Sequence, residues 1–257
     1  MIGELSKEEY IKAHKFVLND IARNYFILLA FENKKPFYHQ IIGEWGTDKE
    51  LKAVLLKRKS GNMQFYAKED FDIEGFSKWI RNMEFKALIS PGSYCDKFLD
   101  KGLFTSVKEG AIIAELTSEN FYRAEQKKYK IEYITLSDLD EVVRLYEKVF
   151  PSFSTKEVMI ERLAGGRGRG LCIRMNGEIV SVAQSEFETD KAALIVGVAT
   201  KPGFQKRGLA MSCVWELSRR LLGEKKDVYL QYDNLDAGRI YSKIGFKPVD
   251  QVKHYIK

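Results

Sequence analysis

The sequence lacks several features that would place it outside the soluble globular class. It has no uninterrupted apolar run of the roughly 18 residues that a membrane helix needs; the longest, residues 25–31, is far shorter. Cys95, Cys172 and Cys213 are odd in number, and they lie too far apart from one another and from the three histidines for metal-ligand spacing. We therefore expect reduced structural thiols, no metal site and no membrane partner.

The N-terminal segment also lacks a basic region followed by an apolar core, so no signal peptide is readable and a cytoplasmic location is expected. With 45% hydrophobic and 30% charged residues, long disorder, collagen and disulfide miniproteins are excluded. The 257 residues favour two domains. The net charge of +6 is modest and suits any anionic partner, such as a phosphorylated cofactor, nucleic acid or a membrane surface.

The first half of the chain alternates between helical and strand patterns. Ser6 and Glu9 have the spacing of a capping box, which predicts a helix from about residue 10. The apolar run 25–31 fits a buried strand or a helix, and its periodicity does not decide between them. The elements predicted beyond it are an antiparallel meander (38–45, 51–56, 63–66), a helix (73–80), a strand (85–90), a helix (94–99) and a strand (111–116).

A polar stretch from residue 117 to 130 has little apolar periodicity and is interpreted as the boundary between an N-terminal α+β domain, 1–126, and a second domain, 128–257. A new cycle follows it, with Ser137 or Asp138 capping its first helix. Asn176 and Gly177 are a strong hairpin signal. The predicted elements are a strand (131–135), helices (139–149, 156–163), the glycine-rich loop 165–170 and three strands (171–175, 178–188, 192–200).

The most informative segment begins where the strand 192–200 ends. A turn at 201–204 leads through Gln205, Gly208 and Ala210 into a helix predicted from Met211 to Leu222. Strand, glycine-bearing turn and helix N-terminus in that order allow several unpaired backbone N–H groups to point at one anion. The pattern predicts a pyrophosphate cradle, although an ordinary strand-to-helix turn has the same order of elements.

A second motif follows the predicted helix. A strand at 228–232 leads to Asn234, a short helix, and then Tyr241, Gly245 and Phe246 in the spacing Tyr-x-x-x-Gly-Phe. Together with Gln205-x-x-Gly208-x-Ala210, these residues resemble the signature of the GNAT superfamily of acyl-CoA-dependent N-acyltransferases. The resemblance covers about residues 130–257. It implies an α+β fold of three layers with a mixed, mostly antiparallel twisted sheet.

The same resemblance bears on the first half, because GNAT proteins with a truncated or degenerate N-terminal copy of the fold exist. Residues 1–126 have a meander, helix, strand and helix in a similar order but no recognisable cradle. Ser90, Pro91 and Gly92 would lie at the equivalent turn.

By resemblance, acetyl-CoA would be the co-substrate and an unidentified amine the acceptor, which would attack the thioester directly. The pyrophosphate would bind the cradle, and the pantetheine arm would pair with the strand before it, where a bulge at Gly197 is expected. The implied cofactor-binding residues are Val198, Ala199, Thr200, Gln205, Lys206, Arg207, Gly208, Leu209, Ala210, Asn234, Ala237 and Tyr241.

Three residues are candidates for catalysis. Tyr241 stands at the general-acid position of the family and would protonate the departing thiolate. Glu186 and Glu188 are carboxylates on a neighbouring strand, predicted to share a face with Gln184, and either could be a base for the amine. Water is the alternative base. Core packing by Tyr241, a helix cap by Asn234, and a solvated strand face for the two glutamates are the structural alternatives.

The overall prediction is an N-acetyltransferase, with a non-catalytic acyl-CoA sensor as the alternative. A basic nucleic-acid-binding protein is a third reading, but no nucleic-acid motif supports it, and none is expected as a partner. The loop 165–170 fits a flexible border of the acceptor site better than a phosphate site. A strand near 247–256 could form an edge that pairs across a homodimer.

Overall fold

The computed structural model describes residues 1–32, 38–68, 70–122 and 129–257. The chain packs into two compact units. Unit 1 comprises Met1–Ile113 and Val249–Lys257, and unit 2 comprises Ala114–Pro248. The boundary expected near residue 127 lies outside the described residues, so the domain ranges 1–126 and 128–257 stay a prediction.

The helices and strands of the described residues are, in chain order, β1 (Ile2–Glu4), α1 (Tyr10–Val17), α2 (Tyr25–Glu32), β2 (Tyr38–Trp45), β3 (Leu51–Arg58), β4 (Asn62–Ala67), α3 (Ile73–Arg81), β5 (Ala87–Pro91), α4 (Gly92–Cys95), β6 (Ser106–Leu116), β7 (Ile131–Tyr133), α5 (Leu139–Glu147), α6 (Lys156–Ala164), β8 (Gly170–Met175), β9 (Glu178–Glu186), β10 (Ala192–Thr200), α7 (Leu209–Gly223), β11 (Asp227–Tyr232), α8 (Leu235–Ile244) and β12 (Lys247–Ile256). Short 3₁₀ turns follow α1 and α4 and precede α5.

The order of elements repeats. From β1 to β6, and again from β7 to β12, the chain forms a strand, two helices, three strands, a helix, a strand, a helix and a strand. The order predicted for the second half is confirmed, and the first half has the same order in full. The fold class is α+β with a mixed, mostly antiparallel sheet, as predicted.

In unit 1 the strand order is β1, β2, β3, β4, β5, β12, β6. The pairs β1–β2, β2–β3, β3–β4 and β5–β12 are antiparallel, and β4 and β5 run parallel. Strand β12 pairs with β5 from Val252↔Pro91 to Ile256↔Ala87 and has β6 on its other side. The expectation that this strand is an edge free to pair across a dimer is therefore wrong, because both of its edges are already paired.

In unit 2 the strand order is β11, β10, β9, β8, β7, with the last residues of β6 beside β11. Helices α7 and α8 pack on one face of the sheet, with Leu171, Val180 and Ile195 among the buried residues. Helices α5 and α6 pack on the other face, over Cys172 and Val182. Because neighbouring residues of one strand belong to opposite clusters, unit 2 has three layers.

Several local predictions are confirmed. The amide of Glu9 donates to Ser6 Oγ, and the amide of Ser6 donates to Glu9 Oε2. Asn176 and Gly177 both have positive φ, at 52° and 80°, which matches a tight hairpin turn. The apolar run 25–31, for which the sequence left strand and helix open, lies in helix α2.

Two local predictions need correction. Asp138, one of the two predicted residues, is the N-cap of α5 by position, but its side chain makes no capping bond to that helix; it instead forms a capping box with Thr135, which caps the 3₁₀ turn before α5. Strand β9 ends at Glu186 and does not reach Glu188, because Phe187 adopts the left-handed conformation with φ 51°.

Candidate active site

Strands β10 and β11 of unit 2 pair only at their beginnings. Their parallel register runs from Ala192↔Asp227 to Ile195↔Leu230, although β10 continues to Thr200. Beyond this point the two strands diverge. Backbone groups on this edge of β10, including those of Val198 and Thr200, therefore have no strand partner in β11 and can pair with an extended ligand.

A β-bulge lies in the diverging part of β10, as predicted. The register with β9 shifts between Val196 and Ala199, and Gly197 has φ 60°. The hydroxyl of Tyr146, on α5, donates to the Gly197 carbonyl at 2.8 Å and holds the bulge in place. A Cβ at position 197 would lie 2.4 Å from that hydroxyl, so the glycine is required by both its conformation and its neighbours.

The predicted cradle follows β10. Gly203, Lys206 and Gly208 all have positive φ, and α7 starts at Leu209 with Gly208 as a cap that has no side chain. In the part of the chain that the structure describes, none of the backbone N–H groups from Gln205 to Ala210 makes a hydrogen bond of normal geometry to a protein acceptor. A row of free amides at a helix N-terminus is a strong anion-binding arrangement.

The cations around the cradle differ in their partners. Lys201 forms an ion pair with Glu178, so its charge is largely compensated. The Arg207 guanidinium donates to the Gly203 carbonyl at 3.1 Å and lies over the Phe204 ring. The hydroxyl of Tyr129 donates to the Arg207 carbonyl at 2.7 Å. These contacts brace the loop from the side, while Gln205 donates weakly to the Thr200 carbonyl at 3.4 Å.

Asn234 caps α8. Its Oδ1 accepts from the amides of Asp236 at 2.8 Å and Ala237 at 3.4 Å. The capping alternative for Asn234 is thus confirmed. A cofactor contact by Asn234 or Ala237 stays a prediction, because capping uses the side-chain oxygen and leaves the side-chain nitrogen available.

Tyr241 lies on α8, 7% exposed, with its ring 5.5 Å from that of Tyr232 and 5.9 Å from that of Phe246. Burial, together with the nearby Tyr232, raises the pKa of Tyr241 to about 12. The hydroxyl is therefore protonated at neutral pH and able to donate, but it is a weaker acid than an unperturbed tyrosine, whose pKa is about 10.

The two candidate glutamates point to different sides of β9. Gln184 and Glu186 face α5 and α6, whereas Glu188 lies beyond the strand end and contacts Ser185, so the expected common face of all three is wrong for Glu188. Burial alone would raise the pKa of Glu188, but hydrogen bonds from Arg169, Ser185 and Lys226 hold it below its usual value. It is a paired structural carboxylate.

Glu186 takes part in a buried ion pair. Its Oε1 accepts from Arg162 Nη2 at 2.6 Å, and the two side chains are 8% and 4% exposed. Next along the same strand face, Gln184 donates to the Tyr146 hydroxyl at 2.7 Å. Hydrogen bonds therefore link Gly197, Tyr146 and Gln184, and the pair of Glu186 and Arg162 lies on the same face of β9.

Sequence reasoning missed Tyr146 and Arg162, which are placed here by two different helices. Both appear in the sequence as ordinary residues of amphipathic helices, so no local signal marks them. The only available hint is the alternation Gln184, Glu186 on a strand that is otherwise apolar on that side, since buried polar residues require partners from the packed helices.

The glycine-rich loop 165–170 adjoins this cluster. A Cβ on Gly168 would lie 2.8 Å from Arg162 Cγ, so the loop closes directly over the arginine stem. Arg169 pairs with Glu188 and Glu224. Its charge is thus used within unit 2, which argues against a phosphate site at this arginine.

The three cysteines are buried and unpaired. Burial raises the pKa of Cys213, the one nearest the cradle in sequence, to about 12, which leaves it a poor nucleophile. Across the described ranges, no group of three or more His, Cys, Asp or Glu side chains is arranged to hold a metal ion. In those ranges there is also no helix with the length and apolar character to cross a membrane.

In unit 1 the segment that corresponds to the cradle by order of elements lies in a different place from the one predicted. Ser90 and Pro91 end β5 and Gly92 starts α4, so this turn matches the β11–α8 turn and the expectation that it corresponds to the cradle is wrong. The counterpart of the cradle is the segment between β4 and α3, where Asp72 caps the helix by accepting from the Gly75 amide at 2.8 Å.

Comparisons with known proteins agree with this architecture. The family model of GNAT acetyltransferases matches residues 57–255. An N-alpha-acetyltransferase of Sulfurisphaera tokodaii is 22% identical over 145 residues, which cover 50% of this chain and 86% of that protein.

Two solved structures resemble the chain along its length. A GNAT-family acetyltransferase from Colwellia psychrerythraea has a TM-score of 0.71 at 12% identity, with all of both chains covered. A tandem GNAT protein from the clavulanic acid biosynthesis pathway has a TM-score of 0.62 at 12% identity, covering 99% of this chain and 97% of its own. With a family model that spans most of the sequence and a cradle, bulge and diverging strand pair in unit 2, the chain belongs to the GNAT acetyltransferase family.

Proposed function

We propose that unit 2 transfers an acetyl group from acetyl-CoA to a primary amine by direct attack. The observation that carries this proposal is the row of backbone amides from Gln205 to Ala210 that are free to bind an anion, next to the point where β10 and β11 diverge. This arrangement supplies an anion site and an unpaired strand edge side by side. A diphosphate joined to an extended arm with amide groups has the matching chemistry.

In this proposal the cradle amides, with Lys206 and Arg207, bind the pyrophosphate. Backbone groups of Val198, Ala199 and Thr200 bind the pantetheine arm. Asn234 and Ala237, at the start of α8, lie after β11 and border the same divergence. The co-substrate supplies an activated thioester, and the chain supplies its orientation.

Tyr241 is proposed as the general acid. When the amine nitrogen forms its bond to the acetyl carbon, the bond from carbon to sulfur breaks and the sulfur leaves as a thiolate. Tyr241 donates its proton to that sulfur, the surplus proton of the amine passes to solvent, and Tyr241 then regains a proton from solvent. The reaction is balanced without a cysteine nucleophile, which suits three buried thiols.

The base in this proposal is water and not a fixed carboxylate. A carboxylate already paired with a cation is a weaker proton acceptor than a free one. Glu186 is engaged by Arg162, and Glu188 by Arg169 and Lys226. Both glutamates thus support the site through their ion pairs.

The acceptor is proposed to be an α-amine. The relative from Sulfurisphaera tokodaii is named for acetylation at such a group. An α-amine beside a carbonyl has a lower pKa than an alkyl amine, about 8 against about 10.4, so more of it is neutral and able to attack near pH 7.

The test is calorimetric titration of the full chain with acetyl-CoA, followed by measurement of free thiol release with a panel of amines. Micromolar binding and amine-dependent thiol release are expected. Binding without thiol release for any amine would favour the acyl-CoA sensor. No binding at millimolar acetyl-CoA would overturn both.

A further inference from the structure

Arg162 stands out among the buried residues of unit 2 because most of its donors are unused. Its Nη2 donates to Glu186 and to Ser154 Oγ at 3.1 Å. Its Nε and Nη1 are buried and meet no acceptor among the residues that the structure describes. A buried N–H group without an acceptor lowers the free energy of unfolding by about 1–3 kcal/mol. A role in packing alone therefore does not explain an arginine at this position.

The surroundings of Arg162 connect it to the bulge. Gln184 lies opposite Val196, directly before the bulge, and Glu186 is two residues further along β9, roughly 7 Å away. The Gln184 Oε1 atom is also buried without a donor in the described part of the chain. Arg162, with unused donors, and Gln184, with an unused acceptor, thus both lie on this face of the sheet, and Gln184 is opposite the residue that precedes the bulge.

The charge of the site favours one kind of ligand group. The Arg162 guanidinium is already balanced by Glu186, at 2.6 Å. A second buried carboxylate would leave a net negative charge, which is costly in a buried site. A neutral carbonyl oxygen would accept from the free N–H groups without adding charge.

We infer that Arg162 is an acceptor-binding residue, which uses its free Nε or Nη1 donors to bind the neutral carbonyl oxygen adjacent to the α-amine that is acetylated. The inference rests on the proposed function and makes it narrower. It favours peptide N-termini and amino-acid amides over free amino acids and over amines without a carbonyl. Gly168 packs against the same arginine, since a Cβ there would lie 2.8 Å from Arg162 Cγ.

The test compares four acceptors: a short peptide, an amino-acid amide, the corresponding free amino acid and an alkyl amine without a carbonyl. The variant is Arg162→Lys, which keeps a cation opposite Glu186 but removes the Nε and Nη1 donors. Thermal unfolding checks that it folds. Should it fail to fold, the double variant Arg162→Met with Glu186→Leu removes the ion pair as a whole.

In the wild type we expect the peptide and the amide to have kcat/KM at least tenfold above the other two acceptors. Arg162→Lys should lower the ratio of kcat/KM for peptide over alkyl amine by at least tenfold, mainly through KM of the peptide, with KM of acetyl-CoA within twofold. The control is Arg174→Met, which removes an arginine of unit 2 paired with Asp138 and Glu141. It should leave the ratio unchanged.

The outcomes separate the two proposals. A wild type that acetylates none of the four acceptors contradicts the proposed function. A wild type that is active, with the same ratio in Arg162→Lys, overturns the inference and makes the cluster a structural ion pair satisfied by water. A preference for the free amino acid that depends on Arg162 would also overturn it, because the bound group would then be a carboxylate.

Discussion

Units 1 and 2 follow the same order of elements, yet they differ at each place where unit 2 has a feature suited to a ligand. Strand β4 pairs with β3 in one unbroken register, whereas β10 is bulged at Gly197 against β9. The segment from β4 to α3 is 68–72, and the segment from β10 to α7 is 201–208. The segment of unit 1 is therefore three residues shorter than the one that forms the cradle in unit 2.

The two helix starts differ in charge. At the start of helix α3, the Asp72 carboxylate accepts from the Gly75 amide. The backbone amide of Asp72 in turn donates to Glu44 Oε2 at 3.0 Å. Helix α7 begins at Gly208 with its amides free. A carboxylate satisfies the same amides and the same helix dipole that a phosphate would use. Unit 1 thus contains its own anion, and unit 2 leaves the position open.

The strand divergence is closed in unit 1. Strands β4 and β5 pair only at Asn62↔Ala87 and Met63↔Leu88, but beyond them Ser90 Oγ accepts from the Phe65 amide at 2.6 Å. The side-chain hydroxyl takes the hydrogen bond that an extended ligand could otherwise make. The same framework therefore exists in an occupied form and an open form, and the difference comes from a few side chains.

The position of Tyr241 also has a counterpart. Phe98 is the seventh residue from the start of α4, as Tyr241 is from the start of α8, and each is followed four residues later by a left-handed glycine, Gly102 or Gly245. Phe98 is fully buried and packs 5.3 Å from the ring of Phe65. Unit 1 keeps the shape of the motif without the hydroxyl.

The largest effect is expected from placing at the start of α7 in unit 2 the negative charge that Asp72 provides at the start of α3 in unit 1. Gly208→Asp should weaken acetyl-CoA binding roughly 100-fold, because like charges about 4 Å apart repel by up to about 4 kcal/mol at an effective dielectric constant of about 20. Calorimetric titration measures the change. Gly208→Asn, with the same backbone strain and no charge, is the matched control and should lose much less affinity.

Equal losses in the two Gly208 variants would mean that the conformation of the loop, and not its charge, determines binding. The contrast between the two helix starts would then be one of shape.

The hydroxyl that separates Tyr241 from Phe98 gives the next largest effect. Tyr241→Phe should lower kcat by about 100-fold, with KM of acetyl-CoA within twofold. Because burial raises the pKa of Tyr241 to about 12, the wild type should keep its donor proton, and the pH profile should show no alkaline decline below about pH 10. A decline near pH 8 to 9 in the wild type, absent in the variant, would mean that the tyrosine is activated.

These features differ in how far the sequence predicts them. The cradle, the bulge at Gly197 and the Asn234 cap follow from glycine and asparagine chemistry at fixed local spacing, and the structure confirms their geometry. The side of the sheet on which Glu188 lies could not be predicted. The alternation of residues 178–188 gives no sign that Phe187 adopts the left-handed conformation and ends the strand. Arg162 and the pairing of β12 with β5 depend on contacts between distant segments, which local patterns do not contain.

The ion-pair network of Glu188 has a predicted effect on stability and not on chemistry. Glu188→Gln should lower the free energy of unfolding by roughly 1–3 kcal/mol and leave kcat nearly unchanged. Because the pKa of Glu188 is held below its usual value in the folded state, its contribution is present near neutral pH and is lost as the pH falls through the acid range. Denaturant unfolding of both proteins at pH 7 and pH 4 should therefore give a smaller difference at pH 4. A large drop in kcat at unchanged stability would instead make Glu188 a catalytic base.

The smallest expected effects come from removing the two helix caps, one in each unit, so they compare the units at a single equivalent contact. Asp72→Ala and Asn234→Ala each remove one side-chain cap, so each should lower the free energy of unfolding by about 1 kcal/mol. Only Asn234 borders the diverging strands of unit 2, so only its variant should raise KM of acetyl-CoA, by roughly threefold. Denaturant unfolding and steady-state kinetics measure the two quantities separately. If Asp72→Ala changed KM as much as Asn234→Ala does, unit 1 would influence the cofactor site, and the contrast between an occupied and an open copy would no longer describe the chain.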